Sequence, residues 1–131
     1  LLDAACKHIS SRLVEYKSQE ISNVVYTFGL LRFKQDEFLQ AVCLHASTRL
    51  VEFNTQGLSN TVYGLGLLRF KDTSFLLAAC SQASRRLPEF KMQEISSLVY
   101  AFGLLKFQEI HLLRELIALV AIRSHELNVR G

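Results

Sequence analysis

The groups in this chain that could do chemistry recur at one spacing. Cys6, Cys43 and Cys80 lie 37 residues apart (43−6 and 80−43), and the third is the last cysteine of the sequence. A zinc site or a disulfide framework needs thiols clustered or paired, as in C-x-x-C, and one thiol per interval gives neither. These cysteines read as core positions on a helix face shared with Leu2, Ile9 and Leu13. Buried free thiols suit a reducing compartment. His8 and His45 occupy one position, but the third copy is Gln82, while His111 and His125 stand alone. No serine, cysteine or carboxylate sits at a spacing that pairs a nucleophile with its base, and there is no glycine-rich phosphate loop. The expectation is a protein that is not an enzyme and needs no metal or cofactor.

Two other sets of residues could recognise a partner. The first is a narrow polar stripe, Glu20, Asn23, Thr27 and Lys34, on an otherwise apolar helical run. Its copies are Gly57, Asn60, Gly64 and Lys71, then Glu94, Ser97, Ala101 and Gln108, so the stripe varies while the framework is kept. Asparagine both donates and accepts, which suits base edges and sugar hydroxyls. The alternative is a set of solvated positions, free to vary because nothing touches them. The second set is basic: Arg32, Lys34, Arg69, Lys71 and Lys106 gather near the ends of such runs, and Arg12, Arg49 and Arg86 near the ends of the preceding ones. They could track the phosphates of an extended strand, or complement helix C-termini and pair with acids such as Glu15.

The elements that must hold these residues follow from the repeat. Gly29, Gly66 and Gly103 keep the interval, as do Tyr26, Tyr63, Tyr100 and Phe33, Phe70, Phe107. Leu2, Ala5, Cys6, Ile9, Leu13 and Tyr16 predict an amphipathic helix A. Ile21, Val24, Val25, Phe28 and Leu31 predict a helix B, with Ser18 or its copy Thr55 as N-cap. Short connections at Lys17 to Gln19 and Asn54 to Gln56 make each pair an antiparallel hairpin, and Asp36 or Asp72 could cap the next helix A. A hairpin of this size cannot bury its apolar face alone, so the copies must stack. The expected architecture is an all-α solenoid of three hairpins, 1–37, 38–74 and 75–111, plus a capping or partial fourth unit over 112–131. Glycine inside helix B costs about 0.5 to 1 kcal/mol relative to alanine, and a close helix crossing would offset that. Pro88 reads as a helix terminus.

Half of the 131 residues are hydrophobic, enough for one substantial core, and the net charge of +3 permits nucleic acid without requiring it. Basic residues interrupt every apolar run before the roughly 18 residues a membrane span needs. The first residue already lies inside a repeat, which predicts a segment of a longer protein.

The run Gln56, Gly57, Leu58, Ser59, Asn60, Thr61, Val62, Tyr63, Gly64, Leu65, Gly66, Leu67, Leu68 resembles the second helix of octotricopeptide repeats. Gln19 to Leu31 and Gln93 to Leu105 repeat it, and the interval is similar to that of the heptatricopeptide repeats of apicomplexan parasites. Tyrosine stands where octotricopeptide repeats usually carry tryptophan, their proline-rich opening is missing, and no RAP domain is visible. The resemblance implies an organellar RNA-binding α-solenoid, in a mitochondrion or alternatively a plastid, that holds transcripts or ribosomal RNA, such as within a mitoribosome. It makes Asn23, Thr27, Asn60 and Ser97 the candidate RNA-facing positions, and Arg32, Lys34, Arg69, Lys71 and Lys106 the candidate phosphate contacts. A tetratricopeptide-type protein scaffold would use the same hairpins and need no basic edge.

Overall fold

Apolar residues at helical spacing, interrupted where each unit turns, give helices and no strand among the described residues. The computed structural model describes the backbone of residues 1–130 and the side chains of 1–126. Three A/B pairs follow one another: α1 (Leu2–Ser10) with α2 (Ser18–Leu31), α3 (Asp36–Ser47) with α4 (Thr55–Leu67), and α5 (Thr73–Arg85) with α6 (Met92–Leu105). The chain then enters α7 (Ile110–Arg130), in the register of a fourth helix A. The expected α-solenoid is the observed one. The expected fourth stretch lies outside the described side chains from 127 onward.

The A helices are shorter than predicted. Each stops before its buried leucine, and Leu13, Leu50 and Leu87 sit instead in single 3-10 turns, Leu13–Glu15, Leu50–Glu52 and Leu87–Glu89. A residue four on from the last apolar position reads the same in a helix as in a tightened last turn, so spacing could not separate the two. Pro88 lies within the third of these turns, a terminus as predicted. In α7 the corresponding position is Ser124, and the helix runs through it unbroken.

The caps also shift by one residue. Lys17, Asn54 and Lys91 occupy the N-cap positions of the B helices, not Ser18 or Thr55. The Asn54 side chain accepts from the Gly57 N–H at 2.6 Å, while Glu20 and Glu94 accept from the N–H of Lys17 and Lys91 at 2.8 and 2.9 Å. Ser18 donates to the Glu52 carbonyl of the next unit. Gln35 rather than Asp36 caps α3, and Asp72 caps α5 as expected. Asn54→Ala should cost about 1 kcal/mol, the usual worth of a side-chain N-cap. Thermal melting of the variant checks it, and a shift comparable to that of an exposed-surface substitution would show that Asn54 is not acting as a cap.

The B helices stack at backbone distance. A Cβ on Gly29 would lie 2.8 Å from Gly64 Cα, one on Gly64 2.6 Å from the Val25 carbonyl oxygen, and one on Gly66 3.0 Å from Ala101 Cα. The predicted close crossing is therefore observed at α2/α4 and at α4/α6. Both crossings pair residue i with i+35 (64−29 and 101−66), so the B helices run parallel in fixed register. Side chains such as Phe38, Leu39, Val42, Cys43 and Ala46 fill the layer of A helices, which meet less closely than the B helices do. All three cysteines are free and buried. Burial, with Asp72 and Glu109 contributing, pushes the Cys43 and Cys80 thiols up to about 12.

Candidate nucleic-acid interface

The site is built from the first halves of α4 and α6, because that is where the B helices carry polar residues on their open side. Gln56, Ser59 and Asn60 of α4 face Gln93, Glu94 and Ser97 of α6 and its N-cap residue Lys91 across a cleft of about 350 Å³, with Tyr26 and Tyr63 on its margin. The two helices are tied together there, since Ser59 Oγ donates to the Glu94 carbonyl at 2.9 Å. The tyrosines form a continuous ladder: Tyr26 and Tyr63 lie 6.0 Å apart at 40°, and Tyr63 and Tyr100 5.9 Å apart at 38°. Copies placed this evenly follow from the constant register.

Each candidate from the polar stripe has a different fate. Asn60 and Ser97 both line the cleft. Ser97 back-bonds to the Gln93 carbonyl at 3.0 Å, which commits its proton and leaves its lone pairs outward. Asn23, one unit earlier, is exposed on α2. Thr27 belongs to another row: it is exposed, but its copies Gly64 and Ala101 are buried in the B-helix crossings. The stripe is thus two adjacent rows, one opening on the cleft and one used for packing. An 80° arc on a helical wheel could not divide them.

The basic candidates stand at the far end of the same helices. Asn60 and Arg69 are nine residues apart, roughly 13 Å along the axis, so one groove-bound base does not meet both. Arg32 Nη1 donates to the Leu67 carbonyl at 3.0 Å and Arg69 Nη1 to the Leu104 carbonyl at 3.4 Å, each capping the C-terminus of the next B helix. Lys71 Nζ donates to the Lys106 carbonyl, and Lys34 pairs with Asp36 at 3.9 Å. All five cations remain exposed at the surface. The other ladder ties units in the opposite direction: Arg49 donates to the Tyr16 carbonyl at 2.9 Å, Arg86 to that of Phe53, and Arg123 of α7 to that of Pro88. Complementing a neighbour's carbonyls, not its own helix dipole, is the role that reading one helix at a time missed.

Arg32, Arg69 and Lys106 also carry positive φ of 58°, 56° and 54°, a left-handed conformation usually left to glycine or asparagine. The reason lies one residue on. Phe33, Phe70 and Phe107 donate their N–H to the carbonyls of Phe28, Leu65 and Phe102, closing a Schellman turn. Phe33 then packs edge-on against Phe28 at 5.1 Å, and Phe107 lies 5.5 Å from Phe102. This accounts for the repeated phenylalanine.

Electrostatically the cleft is mixed. Lys91 lies on it, while the Glu94 carboxylate is buried and tied to a helix N-terminus. Residues missed by the sequence reading are Gln56, Gln93, Lys91 and the tyrosines as groove walls. The repeated tyrosine and glutamine were visible, but nothing local said which way they face.

A family model described as the RNA-editing substrate-binding complex 6 protein matches residues 1–114, all three hairpins and the first turn of α7. The chain belongs to this family. The family's name ties its members to a complex that binds the substrates of RNA editing. An RNA-linked helical protein is therefore the part of the resemblance that stands, and the match names neither heptatricopeptide nor octotricopeptide repeats. No curated protein matches the chain.

Proposed function

We propose that this chain is a non-catalytic RNA-binding subunit of a mitochondrial assembly that gathers the substrates of RNA editing, and that RNA lies in the cleft on α4 and α6. The observation that carries this reading is the cleft itself: outward Asn60 beside a tyrosine ladder, in a chain whose family is named for editing substrates. Amide groups read base edges and aromatic rings stack on bases, which is how single-stranded RNA is recognised. Of the targets the resemblance implied, mitochondrial transcripts fit that name better than ribosomal RNA. The mitochondrion is preferred over the plastid on the same ground. A non-catalytic role is supported by the thiols, which stay protonated near neutrality, and by His45. Burial and the Arg49 guanidinium hold that imidazole below its ordinary pKa, so it serves as a neutral partner of Arg49.

Filter binding of a single-stranded RNA oligonucleotide to the purified chain tests the reading. With roughly two to four phosphates contacted, log affinity should fall against log salt with a slope of about −1.4 to −2.8. Binding that ignores salt, or no binding at low salt, would sink the proposal.

A further inference from the structure

The arginine ladder makes three ties between successive units: Arg49 to the Tyr16 carbonyl, Arg86 to that of Phe53, and Arg123 to that of Pro88. Four residues before these arginines stand His45, Gln82 and Leu119. Only the first of the three can change its charge. His45 Nε2 lies 2.9 Å from Arg49 Nη1, the same nitrogen that donates to the Tyr16 carbonyl at 2.9 Å and reaches the Leu13 carbonyl at 3.4 Å. A guanidinium has only N–H groups to offer, so Nε2 accepts and the ring proton sits on Nδ1. The tie between the first two hairpins thus rests on a lone pair that acid removes.

The charged groups acting on this imidazole are Arg49 and Glu52. What the first unit brings to the cluster is main chain, the carbonyls of Leu13 and Tyr16, and from the third unit Arg86 binds the Phe53 carbonyl. Burial, then the Arg49 cation, hold His45 below its ordinary value, with Glu52 opposing in part. The folded chain therefore binds fewer protons than the unfolded one, and stability falls as pH drops below about 6.5. Once Nε2 carries a proton it faces Arg49 donor to donor and cation to cation. Glu52 supplies the way out, since it already accepts from Arg49 Nε at 3.1 Å and from Nη2 at 3.3 Å and is itself half exposed.

We propose that His45 is an acid-sensitive latch on the joint between the first and second hairpins. Protonation turns Arg49 away from the Tyr16 carbonyl and onto Glu52, which loosens the A-helix side of that joint. The backbone crossing of α2 and α4 is untouched. The next joint has no such latch, because Gln82 does not titrate, so acid acts on one end of the stack and leaves α4 and α6 in place. The latch is separate from the polar cleft and does not depend on RNA binding.

Nuclear magnetic resonance on the labelled 131-residue chain reads the latch directly. The Tyr16 carbonyl carbon should shift with the same midpoint as the His45 ring, while the Phe53 carbonyl, bound by Arg86, stays still. Melting at about pH 7.5 and about pH 5.5, on either side of the ordinary imidazole value, gives the second readout. Between them the parent should lose about 4 °C more than His45→Gln, the worth of one charge-assisted hydrogen bond in a domain of this size. Gln82→His should lose more than the parent, because its second joint has become sensitive too. His8, which meets Arg12 at 3.1 Å, is common to all three proteins and drops out of the comparison. The proposal is overturned by a Tyr16 carbonyl that ignores the His45 titration, by a Phe53 carbonyl that follows it, by a neutral His45 with its proton on Nε2, or by equal acid losses in the parent and His45→Gln.

Discussion

Gly64→Ala is expected to lower the melting temperature by about 9 °C, a loss of about 3 kcal/mol at roughly 3 °C per kcal/mol for a domain of this size. The added methyl would stand 2.6 Å from the Val25 carbonyl oxygen and 2.9 Å from its carbon. Those are backbone atoms, so relief requires moving α2 against α4 and not merely turning a side chain. The same change at Gly103 should have the opposite sign, raising stability by about 0.5 to 1 kcal/mol, since alanine is the better helix former and nothing opposes it there. Gly66→Leu falls between, at about 1 to 3 kcal/mol lost. Calorimetry on the three variants decides the matter. Equal melting of Gly64→Ala and Gly103→Ala would mean that the crossing does not depend on missing side chains.

The double variant Asn60→Ala, Lys91→Ala is expected to bind single-stranded RNA about tenfold more weakly, the ~1.4 kcal/mol that one amide contact and one phosphate contact could together supply. Neither residue is in the core: Asn60 is half-buried on the cleft and Lys91 is exposed. Stability should therefore stay within about 0.5 kcal/mol. Melting and RNA binding measured on one preparation separate the two effects. A variant that binds as well as its parent would remove RNA from the cleft, and one that unfolds would show Asn60 to be part of the helix stack.

Most of the fold was legible because the information that sets it is periodic. Gly29 and Gly66 announced a close crossing through their cost to a helix, Gly103 meets no neighbour against that expectation, and the even interval fixed a regular stack. What escaped depended on contacts between units. The sequence offers no reason to expect Arg32 in a left-handed turn until Phe33 is seen closing onto Phe28. Likewise Arg49 has an acid three residues on, Glu52 at 3.1 Å, and that local partner hid the longer reach to Tyr16. The candidate site was half legible for a related reason. Asn60 and Thr27 look alike on an isolated helix, and only the neighbouring helix puts one on the cleft and the row of the other into the crossing.

Backbone contact between the B helices also sets how the array can deform. Side chains can repack under load, and the A layer is made of them; main-chain atoms already at van der Waals distance have no slack to give up. The B row is thus the side with least room to shorten, and a bending load would open the A helices about it, like pages about a binding. In such a motion the spacing of Asn23, Asn60 and Ser97 hardly changes while the outer surface opens and closes. A strand laid along the B row would meet a ruler of constant pitch, and strain arriving from a partner on the outer side would turn into curvature without altering that pitch.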